Sequence, residues 1–403
     1  MSHLGDMSFR GYSLTYVLLC VIAFMMMLST QITNPLLSIF AKEIGATGVW
    51  IGYAVSAYWV SRVILEIPSG YLVNRFGYFK PMALGVALTA IANVLTVWAY
   101  TPGYLIAMRA VMGLGAPLFF AVSMTLIINM FSVEKRGSAM GLFQGIEFIG
   151  TIVGSGLSGA IIEQIGFHNG FLLSAVLAVV AFFLLVAPAS IRNETHSSVG
   201  DSKLKVSDLP KVITNRILLF MGVITLASFT MNNGLIFTVY PLFANESLGL
   251  SLTDVGFIMG ARSVGYVISL FILGRISDMY GRKPVLIFGI VSTSLFLVLL
   301  SSVSAFTPIA GVMAIVGFTS GAIWIVGPVI SAEAVDPSKI GAAVGVYRTF
   351  FDLGSVFGPI IMMEVYSRYS VVMCFYVAAG FLFASVSMAL LMRQEKTVQN
   401  EAV

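Results

Sequence analysis

Apolar residues run through this chain in long blocks, broken by short polar punctuation. Crossing a hydrocarbon core as a helix takes about 20 mostly apolar residues. Twelve stretches meet that requirement: 14–40, 47–72, 80–99, 103–130, 137–163, 170–190, 215–243, 252–274, 283–303, 308–332, 340–365 and 369–392. Between the sixth and seventh lies the only long polar stretch, which includes Arg192, Lys203, Lys205 and Lys211. The expected organisation is a six-helix bundle over 1–190, a linker over 191–214 and a second six-helix bundle over 215–403. The fold class that follows is an all-α membrane protein. The polar lead of 13 residues has no small-residue cleavage site after it, so the first stretch reads as a span and not as a removed signal.

Composition agrees with this reading. Of the 403 residues, 58% are hydrophobic and only 10% charged, against about 25% charged in soluble domains. Basic residues mark the cytoplasmic side of a membrane protein. With both termini inside, 16 of the 22 Lys and Arg fall in inner loops and tails. Lys42 and Arg368 fall outside, and Arg62, Arg109, Arg262 and Arg348 lie within spans. The expected location is the plasma membrane, with both termini cytoplasmic.

The two halves repeat. Gly70, Gly77, Gly113, Gly137, Gly150 and Gly154 recur as Gly274, Gly281, Gly317, Gly341, Gly354 and Gly358, each 204 residues on. Six spans return the chain to its starting side, so corresponding spans run the same way. The halves are then related by a pseudo-two-fold axis along the membrane normal, and substrate is expected at their interface near the midplane.

The loop after span two reads Gly70-Tyr-Leu-Val-Asn74-Arg75-Phe-Gly77-Tyr-Phe-Lys80, and that after span eight Gly274-Arg-Ile-Ser-Asp278-Met-Tyr-Gly281-Arg282-Lys283. Both resemble the G-x-L-x-D-R-x-G-R-K/R loop of the major facilitator superfamily, with Asn74 where the family has Asp. Arg109 precedes Gly113-Leu-Gly115, as in a motif of proton-coupled members. Gly141, Gly150 and Gly154 in span five, and Gly345, Gly354, Gly358 and Pro359 in span eleven, resemble the family's antiporter spacing, although Ser155 replaces the Pro in span five. The resemblance implies alternating access and points to the drug or metabolite:proton antiporter branch.

Each motif has a physical role. A carboxylate at Asp278 could accept bonds at the start of span five near Gly137, where a helix leaves N–H groups free. Asn74 could do the same, more weakly, near Gly341. The alternative is a solvated basic turn that only sets topology. Arg109 either faces a cavity or snorkels to the outer interface. The glycines either serve antiport or simply let helices approach closely.

Seven ionisable residues lie inside spans away from their ends: Arg62, Glu66, Arg109, Glu147, Arg262, Arg348 and Asp352. Such residues are rare and usually functional. Spans two and eleven face each other in the resembled fold, as do five and eight. Two cross-half pairs follow, Glu66 with Arg348 and Arg62 with Asp352, and Glu147 could meet Arg262. Alternatively, Arg62 with Glu66 and Arg348 with Asp352 satisfy each other one turn apart. A carboxylate that loses its arginine in a low-dielectric setting favours its protonated form, which would couple proton movement to rocking of the halves. Arg109 has no obvious partner; it could pair with Glu147 or counter an anionic substrate.

Candidates for the substrate cavity are Gln31 and Asn34 late in span one, Asn232, Asn233 and Phe237 in span seven, and Tyr58, Arg109 and Trp324. Pro35 and Pro241 mark helix breaks. Enzyme, metal and nucleotide-driven readings find little footing. His3, His168 and His196 are scattered, Cys20 and Cys374 sit in apolar runs, and no Gly-x4-Gly-Lys-Ser/Thr loop is present. No cofactor and no nucleic-acid partner is expected. The expected partners are a small-molecule substrate, protons and lipid, with the chain acting as a monomer. The leading expectation is proton-coupled export of a small organic solute. The alternative is an importer or facilitator of a small organic anion.

Overall fold

The computed structural model describes residues 12–194, 214–336 and 339–392. They form fifteen α-helices: α1 (Leu14–Gln31), α2 (Leu37–Glu43), α3 (Val49–Phe76), α4 (Phe79–Thr96), α5 (Pro102–Met130), α6 (Val133–Val186), α7 (Ala189–Glu194), α8 (Arg216–Phe229), α9 (Tyr240–Glu246), α10 (Leu252–Tyr280), α11 (Arg282–Leu300), α12 (Phe306–Glu333), α13 (Ile340–Arg368), α14 (Val371–Ala384) and α15 (Val386–Leu391). The expected linker falls mostly outside the described residues.

Nine of the described helices or helix runs are long and apolar enough to cross a membrane. One of them, α6, has 54 residues. At about 1.5 Å per residue it is far too long for a single crossing. Gly166, at φ 77°, breaks it into two spans, a conformation that costs glycine little. The two remaining crossings are α3 and α13, whose Arg62 and Glu66, and Arg348 and Asp352, lower their hydropathy. Twelve spans result, in two bundles of six.

Local chemistry sets the helix ends. The Ser13 hydroxyl accepts from the Tyr16 N–H at 3.3 Å, and the Asn215 side chain accepts from Ile217 and Leu218. Ser251 and Asp254 form a capping box at the start of α10. Gly77 and Gly281 end α3 and α10 at φ 73° and 94°, so the repeated loop glycine is fixed by backbone geometry. The spans containing the two prolines are both irregular. A 3-10 turn, Asn34–Leu36, separates α1 from α2. A π-helical stretch, Thr230–Val239, joins α8 to α9.

Small residues let the helices approach. A Cβ on Gly113 would lie 2.1 Å from the Tyr58 carbonyl oxygen, and one on Gly317 would lie 2.0 Å from that of Arg262. These are equivalent contacts in the two halves. Gly150 and Gly354 sit against the backbones of α1 and α8 in the same way, at 2.7 and 2.6 Å. The glycines with antiporter-like spacing thus pack span five on span one, and span eleven on span seven. Outside the bundles, Leu84, Phe183, Phe271 and Leu295 expose apolar side chains, as a lipid-facing surface requires.

The halves meet along two antiparallel seams, α3 with α13 and the first part of α6 with α10. On the first seam Gly52 lies against Pro359, the Ser56 hydroxyl donates to the Val356 carbonyl at 2.6 Å, Trp59 meets Phe351, and Glu66 meets Arg348. On the second, Gly159 lies against Leu252, Gly156 against Gly260, and Phe148 against Tyr266. We refer to the face carrying Leu14 and the turns at Gly77 and Gly281 as the tail face, and to the opposite one as the far face. The far face is closed. There Lys42 pairs with Glu246 at 2.5 Å, and Glu163 accepts the Thr253 N–H at 2.8 Å. Lys42 and Glu246 are themselves 204 residues apart, so a residue meets its own repeat mate across the pseudo-axis. Towards the tail face the seams part. A Cβ added at Gly137, Gly141, Gly145 or Gly345 would meet nothing within 4 Å.

The latch expected of Asp278 at the start of span five is therefore not formed. Asp278 pairs with Arg282 one turn on, and Arg282 also reaches Glu333 at 3.5 Å. The opening of the tail face is the physical reason. Gly70, Asn74 and Gly341 lie within helices, but their side-chain surroundings are outside the described residues, and the Asn74 latch falls there too.

The glycine contacts give a direct test. Gly113→Val should lower stability in detergent by about 2 kcal/mol, because overpacking against a fixed backbone cannot relax. Gly141→Val, facing open space, should change it by less than about 0.5 kcal/mol. Thermal unfolding of the purified variants measures both.

Candidate functional site

A cavity of about 270 Å³ lies between the halves at the level where the seams begin to part. Its walls come from α1, α3, α5, α6, α8, the π-helical stretch, α10, α12 and α13. Most of the lining is aromatic or aliphatic. Phe351 is central, 4.0 Å from Phe229 and 5.5 Å from both Trp59 and Trp324 between ring centroids. Such a wall suits an apolar solute body, with a few polar groups fixing its orientation.

Four charges form one network on the α3–α13 seam. Arg348 donates through Nη1 to Glu66 Oε1 at 2.8 Å. The other Glu66 oxygen accepts from Arg62 Nε at 3.4 Å, and the same Nε lies 3.9 Å from Asp352 Oδ1. Both cross-half pairs are therefore present together with one of the two one-turn pairs, Arg62 with Glu66, while Arg348 pairs with Glu66 and not with Asp352. Cross-half pairs and a one-turn pair share the same atoms. Arg62 also lies over the rings of Trp59 and Phe351, at 5.2 and 5.3 Å. Asp352 is the deepest member, with its side chain 3% exposed and Oδ1 without a hydrogen bond. Arg348 is 41% exposed and faces the opening.

The expected pairing of Glu147 with Arg262 is not formed. Glu147 stands on the cavity wall with Arg62 and Arg348 as its electrostatic neighbours. Arg262 instead donates through Nη2 to the Asn232 side-chain oxygen in a very short contact, and lies 5.0 Å from the Phe237 ring centre. Both partners belong to the π-helical stretch of its own half. That stretch presents Asn232 to the cavity, while the adjacent Asn233 turns away and donates to the Ser355 hydroxyl at 2.9 Å. Neighbouring residues on a helix cannot share a face.

Gln31, Tyr58, Asn232, Phe237 and Trp324 all line the cavity, as expected. Asn34, Arg109 and Asn233 do not. Arg109 is buried nearer the far face, where it donates to the Asn34 side-chain oxygen at 3.0 Å and lies over the Tyr58 ring at 5.1 Å. Its partners are an amide and a ring, and not Glu147. Gln144, Thr151, Tyr266 and Ser320 also line the cavity and escaped the sequence reading. The repeat register held a signal for two of them. Tyr266 is 204 residues after Arg62, and Gln144 is 204 before Arg348, so the charged positions of one seam mark the cavity positions of the other. At that equivalent point Phe148 and Tyr266 stand 5.7 Å apart, where the first seam has Asp352 and Arg62.

The model of the Major Facilitator Superfamily matches residues 19–243 and again residues 218–402. Multidrug resistance protein 2 of Bacillus subtilis (strain 168) is 23% identical over 357 residues, covering 85% of this chain and 86% of the relative. Sialin of Ovis aries is 21% identical over 382 residues, covering 87% and 77%. Among solved structures, that of the nucleoside transporter NupG superposes with a TM-score of 0.75 at 14% identity, covering 94% of this chain and 100% of NupG.

The charge network predicts a coupled response. Arg62→Met leaves Asp352 buried without its cation and should cost about 3 kcal/mol. Adding Asp352→Leu should restore more than half of that loss. A double-mutant cycle on thermal unfolding reads the coupling; additive losses would mean that the two charges do not interact.

Proposed function

Because the chain belongs to the Major Facilitator Superfamily, and is thus an integral membrane transporter and not an enzyme, we propose that it exports a small organic solute in exchange for protons by alternating access. The observation that carries this reading is the charge network, which spans both halves where the cavity opens. Rocking of the halves about the cavity would part Glu66 from Arg348 and Arg62 from Asp352. Each carboxylate would then stand in a low-dielectric cleft without its cation, and a proton neutralises it at least cost. Glu147, on the wall facing Arg62 and Arg348, is a third carrier. In this cycle the closed far face opens, releasing Lys42 from Glu246. The tail face closes, bringing Asp278 to the start of span five. The halves move as 1–190 and 215–403, joined by 191–214.

The basic residues of the loops support a cytoplasmic tail face, with the plasma membrane as the proposed site of action. The aromatic lining supports an amphipathic solute, and the likeness to multidrug resistance protein 2 of Bacillus subtilis supports multidrug export. A second reading, uptake or facilitated passage of a small organic anion, is favoured by one observation: Arg262 lines the cavity with no carboxylate beside it.

Everted vesicles energised with an imposed pH gradient test the coupling. A panel of amphipathic drugs and dyes is added, and collapse of the gradient reports solute-driven proton release. Wild type should respond to at least one compound. Glu66→Gln and Asp352→Asn should each reduce that response by about tenfold or more, the range of a lost proton-transfer group. Undiminished responses in both variants would sink the coupling role.

A further inference from the structure

Seven charged side chains lie inside the spans away from their ends, and among the described residues two of the arginines, Arg109 and Arg262, have no carboxylate partner. A guanidinium in the membrane interior is costly unless its charge is answered. The two arginines answer it alike in part. Each donates to an asparagine oxygen of the broken helix in its own half, and each lies over an aromatic ring, Tyr58 or Phe237. They are not repeat mates, since Arg262 is 204 residues after Tyr58 and Met313 is 204 after Arg109. The likeness is one of chemistry, at positions the repeat does not dictate.

They differ in what they face. Arg109 lies off the cavity, walled in by Asn34, Met112 and Tyr58. Arg262 is 6% exposed, and what it exposes is on the cavity wall. Its Nε has no hydrogen-bond acceptor. A guanidinium carries five N–H donors in a planar fork; a single amide oxygen leaves most of them unused. An arginine held rigidly by an amide and a ring, with donors unspent and its exposed part on a cavity wall, matches a planar oxyanion better than any neutral group. The same cavity is lined by the apolar rings of Trp59, Phe120 and Trp324.

From this we infer that Arg262, oriented by Asn232 and Phe237, is the anchor for an anionic group on the transported solute, and that the solute class is an organic monoanion with an aromatic or aliphatic body. The inference rests on the transporter reading of the cavity and holds for either direction of transport. The Arg62 and Arg348 charges are already taken by Glu66 and Asp352. Glu147 has those two arginines as its electrostatic neighbours, so among the described residues no carboxylate stands beside Arg262. An anion at Arg262 gives that guanidinium a partner, and the rings supply the contact for its body.

Calorimetric titration of the purified full-length protein with 2-naphthoate and with 2-naphthamide tests this. The two share shape and apolar area and differ in charge. Wild type should bind the carboxylate at least about tenfold more tightly than the amide. Arg262→Gln should abolish that preference while still binding the amide. Arg262→Lys, which keeps the charge but not the fork, should retain part of it and guards against a folding defect in the first variant. Equal binding of the two compounds by wild type, binding of neither, or a preference that persists in Arg262→Gln would overturn the anchor. A preference intact in wild type and lost in Arg262→Gln, without any pH-driven transport in vesicles, would sustain the anchor and sink proton-coupled export.

Discussion

Inside a bilayer an ionised side chain must find a counter-charge, a hydrogen-bond partner or a water-filled space. The architecture around the cavity can be read as the answer to that constraint. Helices α3 and α13 each bring an arginine and a carboxylate to the same seam, and antiparallel packing sets them in reach of each other. At the equivalent point of the opposite seam two rings meet instead, Phe148 against Tyr266, with Glu147 and Arg262 nearby on the same two helices. The halves are thus alike in backbone and unlike in electrostatics. One seam joins the halves through ion pairs at this level, and the other through rings.

The second consequence concerns how firmly the far face is shut. Its polar contacts are few and accessible. Lys42 and Glu246 are 49% and 32% exposed in their side chains, and exposed ion pairs contribute at most about 1 kcal/mol. Backbone approach at Gly52, Gly156 and Gly159 adds close packing, and a buried apolar cluster continues across that face, from Phe40, Val55 and Ile162 of one half to Val239, Tyr240 and Leu242 of the other. The closure rests on apolar burial more than on its ion pair. Glycines set equally close backbone approach within each half, with Gly113 and Gly317 pressed against carbonyl oxygens, and across the seam, with Gly159 pressed against that of Leu252.

Much of this could be read from the chain. The twelve crossings follow from hydropathy, and the register of the repeat follows from glycines whose backbone role is now visible at Gly77 and Gly281. The Glu66 and Arg348 pairing was readable because two long helices in a known antiparallel register leave little freedom. Other features were hidden for physical reasons. A π-helical stretch changes which side chain faces inward, and nothing in the run Thr230–Val239 announces it; hence Asn232 and Asn233 were both expected in the cavity and only Asn232 lines it. The same stretch draws Arg262 to its own half and away from Glu147. Conformation is hidden as well. Asp278 was expected at span five, and an open tail face leaves it with Arg282. The order of residues fixes which helices pair and does not say whether the tail face stands open.

The central claim is that the far face must open for transport. Lys42→Cys with Glu246→Cys, in a chain whose Cys20 and Cys374 are replaced by Ser, allows those two sites to be joined by a short, reducible bismaleimide. With the cross-link in place, solute-driven proton release in vesicles should fall to background, and reduction of the linker should restore it. Transport that continues undiminished in fully cross-linked protein would contradict alternating access through this face.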